Sequence, residues 1–124
     1  MKTKRSLIAV VDDDESIRES LPDLLREFGF AAETFSSAEE FLASDNLGRT
    51  NCLILDVAMP GMTGPDLQRA LANRRQTIPI VFITAQRDET LGPRLLELGA
   101  VDCLLKPFSE DDLLEALNTA LRVN

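Results

Sequence analysis

Histidine is absent from this 124-residue chain. The two cysteines, Cys52 and Cys103, therefore have no imidazole with which to complete a zinc site, and they lack CxxC spacing. Both fall in apolar runs that read as buried strands, so they are expected to be reduced core residues. Long apolar stretches are missing as well: no run approaches the ~18 residues of a membrane span. The basic start MKTKRS is followed by only LIAVV before three aspartates, too short an apolar region for a secretory signal. The chain is expected in the cytoplasm, away from the membrane. Positive charge is also scarce, with 13 Lys and Arg against 21 Asp and Glu and a net charge of −8. Contact with a phosphate backbone needs a local surplus of cations, so direct nucleic-acid binding is not expected.

What is present is the balance of a globular domain, 44% hydrophobic and 27% charged, in a length that suits one core rather than two. There are no linkers, repeats or low-complexity tracts, so residues 1–124 read as one domain with a core spanning about 6–122.

Apolar periodicity orders the chain into alternating strands and helices. Leu7 to Val11 predicts a strand, and Ile17, Leu21, Leu24, Leu25 and Phe28 share one helical face after Asp14, which caps the helix. Pro22 in mid-helix predicts a kink. Gly29 stands where a C-terminal cap belongs. Ala31 to Phe35 predicts a second strand, and Ser36-Ser37 can cap a helix through Leu42. Then come a strand at Leu53 to Leu55, a helix at Pro65 to Ala72 and a strand at Ile78 to Ile83. Gly92-Pro93 delays the fourth helix to about Gly92, because proline is tolerated only in a first turn, and leaves Gln86 to Leu91 loosely held. Val101 to Leu105 predicts the fifth strand, and Ser109 opens the last helix in a capping-box pattern, SEDD. Strands this continuously apolar suit burial on both faces. The fold class read from this pattern is α/β, an open, doubly wound five-stranded parallel sheet with five flanking helices.

The chemistry lies at the strand ends. In CLILDVAMPG a run that reads as core ends on a carboxylate, Asp56, and breaks at Met59-Pro60-Gly61. An ionised Asp at the edge of an apolar interior is costly unless paired or coordinated. Asp12 and Asp13 end the first strand, Thr84 the fourth and Lys106 the fifth. If the strand order is 2-1-3-4-5, as in flavodoxin-like sheets, the first and third strands are neighbours at the switch point where ligands bind, and three carboxylates meet. Two like charges ~4 Å apart repel by about 4 kcal/mol at an effective dielectric near 20, and a cluster of three calls for a cation or a held proton. Oxygen ligands alone point to Mg²⁺ or Mn²⁺. A hydroxyl and an ammonium are poor partners for that cation but good donors to phosphoryl oxygens.

VVDDDES, LILDVAMPGMTG, FITAQ and GAVDCLLKPF, in this order and spacing, resemble the receiver domain of two-component response regulators over essentially the whole chain. The resemblance implies that Asp56 is the phosphoacceptor, taking the group from a phosphohistidine on a sensor histidine kinase. It implies that Asp13 binds Mg²⁺ directly and Asp12 assists, with Asp56 and the Ala58 carbonyl completing the protein ligands. Thr84 and Lys106 would contact the phosphoryl oxygens, small Ala85 would leave room for the group, and Ala58 and Gln86 would flank the path of hydrolysis. A cis bond at Lys106-Pro107 is also implied. Output in such domains runs through an aromatic residue on the fifth strand, and here that position holds Cys103. Coupling is then expected through Thr84, the Gln86–Leu91 segment and the fourth helix, the alternative being a domain that couples poorly and works by another surface.

Partners implied by the resemblance are the kinase and an effector domain on the same chain, or a second copy through the face of the fourth helix, fifth strand and fifth helix. Leu91, Leu95, Leu104 and Leu114 lie near that face and are expected to be mainly core. AVDCLLKPF is similar to receivers that precede a helix-turn-helix DNA-binding domain, which favours an N-terminal piece of a longer regulator and a role in transcription control. Two alternatives stand beside this. A receiver-like module could act by contact without phosphorylation. A haloacid dehalogenase type phosphatase also uses a strand-end Asp, Mg²⁺ and a Lys, but it wants a second Asp where this chain has Ala58.

Overall fold

The apolar runs become five strands in the computed structural model, which describes residues 5–86 and 88–122. They are β1 (Leu7–Val11), β2 (Ala31–Phe35), β3 (Cys52–Asp56), β4 (Ile80–Thr84) and β5 (Asp102–Leu105). All pairings are parallel and the order is β2-β1-β3-β4-β5. Between them lie α1 (Glu15–Glu27), α2 (Ala38–Leu42), α3 (Gly64–Asn73) and α4 (Leu91–Glu97), and α5 (Glu110–Arg122) follows β5. This is the doubly wound α/β fold that the alternation of strands and helices predicts. Among the described residues no helix is long and apolar enough to cross a membrane.

Alternation along each strand divides the core in two. Ile8, Val10, Ile54, Val81 and Ile83 pack with Leu21 and Leu25 of α1 and Leu113 and Leu117 of α5. Val11, Leu53, Leu55 and Phe82 pack on the other face with Phe41 of α2, Leu67 and Leu71 of α3, and Leu95 of α4. The helix starts follow their caps. Asp14 accepts the Ser16 amide at 2.9 Å, Ser37 caps α2, and Thr63 and Asp66 form a reciprocal capping box on α3. The Ser109 hydroxyl accepts the amide of Asp112 at 3.0 Å. Gly29, at φ 96°, closes α1 with the bond from the Phe30 amide to the Leu25 carbonyl.

Several boundaries differ from expectation for identifiable reasons. β4 starts at Ile80 rather than Ile78, because Pro79 has no N–H to give a ladder; its carbonyl instead accepts the Leu53 amide. β5 starts at Asp102, one residue later than expected. It pairs only with β4, so as an edge strand all four of its residues are partly exposed, and Cys103 is half-buried rather than core. Both cysteines are free thiols, with burial pushing the Cys52 pKa up to about 12. α1 runs through the buried Pro22 without interruption. α4 starts one residue before Gly92 and accommodates Pro93 in its first turn. Of the leucines near the expected output face, Leu95 is core, whereas Leu91, Leu104 and Leu114 are partly buried. Residues 1–4 of the basic start and Arg87 of the segment before α4 lie outside the described residues.

One glycine fixes how closely α3 approaches the sheet. A Cβ at Gly64 would stand 2.5 Å from the Asp56 carbonyl oxygen and 3.1 Å from the Val57 Cα. These are backbone atoms that cannot rotate away. Gly64→Ala is expected to cost about 2 kcal/mol, within the usual range for overpacking, and to disturb the position of Asp56. The check is a lower urea midpoint at unchanged m-value.

Candidate functional site

Strand register builds the site. Val11 pairs with Leu55, so the next residues, Asp12 and Asp56, stand side by side where β1 and β3 end. Parallel strands lie ~4.8 Å apart, and Asp12, Asp13 and Asp56 each offer a carboxylate oxygen within 4.8 Å of the others. Leu104 shares a row with Ile83 and Asp56, which places Lys106, two residues on, over the same face as Asp56. Its backbone is held there by the bond from the Lys106 amide to the Thr84 carbonyl at 2.7 Å. Lys106 Nζ lies 2.8 Å from Asp12 Oδ2 and 3.6 Å from Asp56 Oδ1. The Lys106-Pro107 bond is cis.

Asp12 is completely buried and satisfied locally. Besides Lys106, its Oδ1 accepts the Asp14 amide at 2.9 Å and its carbonyl accepts Arg18 Nη1 at 2.9 Å. Asp13 is exposed. Asp56 is buried, and among the described residues no backbone amide donates to its carboxylate. Burial and then the Asp12 charge push its carboxyl up to about 7, against the opposing pull of Lys106. Burial acts to lower the Lys106 pKa, yet the bond to Asp12 and the charges of Asp12 and Asp56 outweigh it and leave that pKa raised.

Thr84 ends β4 beside this cluster, buried, and its hydroxyl accepts the Gln86 amide at 3.1 Å. Its register is opposite to that of Asp56, since Asp56 pairs with Ile83 and Thr84 with Leu105. Ala58 and Ala85 are exposed in the loops directly after β3 and β4, on the same rim. The structure thus brings Asp12, Asp13 and Asp56 together, sets Lys106 against Asp12 and Asp56, and engages the Thr84 hydroxyl with its own loop. Arg18 escaped the sequence reading. Its signal is only a cation one turn after the helix cap at Asp14, indistinguishable from a solvated helix residue.

A raised Asp56 pKa makes stability depend on pH in a definite sense. Between its ordinary value of 3.8 and about 7 the folded chain keeps a proton that the unfolded chain releases. Without a divalent cation, stability should fall as pH rises through that window. A cation replaces the proton, so the rise in thermal midpoint on adding millimolar Mg²⁺ should be small at pH 5 and several degrees at pH 8. Melting curves at the two pH values check this, and an equal Mg²⁺ effect at both would contradict it.

Comparison with known proteins agrees with this geometry. The response regulator receiver domain family matches residues 8–118. Response regulator protein TmoT of Ectopseudomonas mendocina is 43% identical over 123 residues, covering 99% of this chain and 56% of TmoT. Transcriptional regulatory protein TdiR of Thauera aromatica is 41% identical over 119 residues, 96% of this chain and 52% of TdiR. The chain therefore spans little more than half the length of these relatives. The solved structure of response regulator StyR superposes with a TM-score of 0.89 at 45% identity, covering 97% of this chain and 61% of that one. With Ala58 where a phosphatase of the haloacid dehalogenase type needs its second Asp, that alternative falls away. The chain belongs to the response regulator receiver domain family.

Proposed function

We propose that this chain is a single receiver domain, core about 6–122, that accepts a phosphoryl group on Asp56 from a sensor histidine kinase. The observation that carries it is the joint placement of three carboxylates within 4.8 Å and of Lys106 Nζ 2.8 and 3.6 Å from two of them. An Asp56 oxygen attacks phosphorus, the O–P bond forms, and the P–N bond to the partner's imidazole breaks with its electron pair returning to nitrogen. No general base is required, because such transfer depends on alignment and charge neutralisation.

The oxygen-only donor set, crowded and with burial and the Asp12 charge outweighing Lys106 at Asp56, fits a hard divalent cation. Asp13, Asp56 and the Ala58 carbonyl would hold Mg²⁺, with Asp12 assisting. Bound there, Mg²⁺ supplies neutralisation of the charge on the transferring group. Lys106 meets a phosphoryl oxygen by shifting part of its bonding away from Asp12, and Ala85 leaves the approach open. The Thr84 hydroxyl, turning to the phosphoryl group, gives up the Gln86 amide and so loosens the segment leading into α4. That route needs no aromatic on β5. It opens on a cleft of about 530 Å³ lined by Thr84, Gln86, Leu91, Gly92 and Cys103. An effector domain on the same chain, or a second copy on the α4–β5–α5 face, would read the change. Control of transcription is supported by the relative named a transcriptional regulatory protein, and a cytoplasmic location fits a partner kinase acting there.

Incubation with acetyl phosphate and Mg²⁺, followed by intact mass measurement, tests this reading. One added phosphoryl group, removed by hydroxylamine as an acyl phosphate should be, is expected. No added mass would favour a module that acts by contact alone.

A further inference from the structure

The face between α3 and α4 carries features that the phosphoryl site does not use. Clefts of about 610 and 210 Å³ run along it and share Leu98 as a common wall. Leu98 is 59% exposed, more than any other large apolar side chain among the described residues. Leu71, Ile78 and Val101 line the larger cleft. Arg75 borders that cleft, Arg69 and Arg94 border the smaller one, and no Asp or Glu lines either. In a chain with 21 acidic and 13 basic residues, this is a local reversal of charge. Arg69 is paired with Asp66, whereas among the described residues Arg75 and Arg94 take part in no ion pair.

Gln68 of α3 adds an independent observation at the same place. It lines the larger cleft, is only 8% exposed, and donates Nε2 to the Leu98 carbonyl at 3.2 Å. That carbonyl can only accept, so the amide cannot be turned over. Among the described residues its Oε1 is a buried acceptor with no donor.

We propose that this groove docks a short acidic, amphipathic helix from a partner protein. Apolar side chains of the helix rest on Leu98 and the cleft floor, and its carboxylates meet Arg75 and Arg94. A groove between two helices suits one apolar helix face, and opposite charge sets orientation and speeds encounter. A second copy of this chain would have to present an acidic surface to this basic one, a heterologous contact that does not close into a dimer. A nucleic-acid backbone would leave the apolar floor uncovered. The inference does not depend on the reading of Asp56.

The probe is a blocked helical peptide of about 15 residues with Leu at i, i+4 and i+7 flanked by Glu, titrated into the ¹⁵N-labelled chain while amide shifts are followed. Saturable shifts confined to α3 and α4 are expected, with none from the same peptide carrying Lys for Glu. Leu98→Glu and Arg94→Glu alter exposed side chains and should keep the fold, checked by circular dichroism, while each weakens binding by about tenfold. Absence of saturable shifts, shifts on another face, equal response to the Lys peptide, or full affinity in both variants would overturn the proposal. So would the same amides shifting with protein concentration alone, which indicates a second copy, or with a single-stranded oligonucleotide.

Discussion

Asp56→Asn is expected to abolish phosphoryl uptake from acetyl phosphate in Mg²⁺ while leaving the fold as stable as before or more so. The two halves of this result have one cause. An amide has no anionic oxygen with which to attack phosphorus, so the mass of the variant should stay unchanged under conditions that add one group to the parent. The same substitution removes one of three crowded carboxylates. The Asp56 carboxyl sits well above its ordinary value because burial and Asp12 disfavour its charge, and Asn abolishes that disadvantage while its amide can donate to Asp12. Above pH 7 and without Mg²⁺ the variant should gain about 1–2 kcal/mol, taken below the full linkage value because the cleft is open to water on one side. This amounts to several degrees in thermal midpoint. At pH 5, where the parent already holds a proton, the gain should shrink. A variant that loses both uptake and stability would show that Asp56 is a structural residue and not a strained nucleophile.

Lys106→Met is expected to slow uptake by about 10²–10³-fold, the usual effect of removing one donor from a site of developing negative charge. It should also destabilise the metal-free chain. Lys106 is the cation within ion-pair distance of both Asp12 and Asp56, and Asp12 is completely buried. Removing one partner of a buried pair typically costs about 3–5 kcal/mol, less here because the Lys106 side chain keeps 17% exposure and the acids can share a proton. The sign with pH follows. Lys106 is the charge that pulls the Asp56 pKa down, so without it the carboxyl rises further and the loss of stability extends to higher pH. Saturating Mg²⁺ should restore much of the thermal midpoint but not the rate of uptake. Recovery of both by Mg²⁺ would mean that Lys106 only offsets charge and does not meet the transferring group.

Most of the sheet is legible because its strands are continuous apolar runs ending on polar residues, and the acidic cluster follows from those ends once the first and third strands are neighbours. Once Leu7–Val11, Cys52–Asp56 and Ile80–Thr84 are strands in one parallel sheet, the placement of Asp12 beside Asp56 follows from register, and Lys106 shares their face. Helix starts were legible where a cap is written locally, as at Asp14, Ser37 and Ser109. Features that depend on neighbours distant in sequence were less accessible. Cys103 looked like core because its run is apolar, yet its strand has a partner on one side only. Nothing in the spacing of Gln68 and Leu98, thirty residues apart, announces the bond that joins α3 to the end of α4. The reversal of charge around that bond is equally invisible in a net charge of −8.

The central claim is that acids from β1 and β3 and the amine after β5 form one site for one cation and one phosphoryl group. A crystal structure of the chain with Mg²⁺ and beryllium fluoride, a phosphoryl mimic, tests it most directly. Fluoride-bearing beryllium is expected on an Asp56 oxygen, with Lys106 and Thr84 on its fluorines and a metal ~2.0–2.1 Å from Asp13, Asp56 and the Ala58 carbonyl. Density for the mimic on any other carboxylate, or a metal without Asp13 and Asp56 among its ligands, would contradict it.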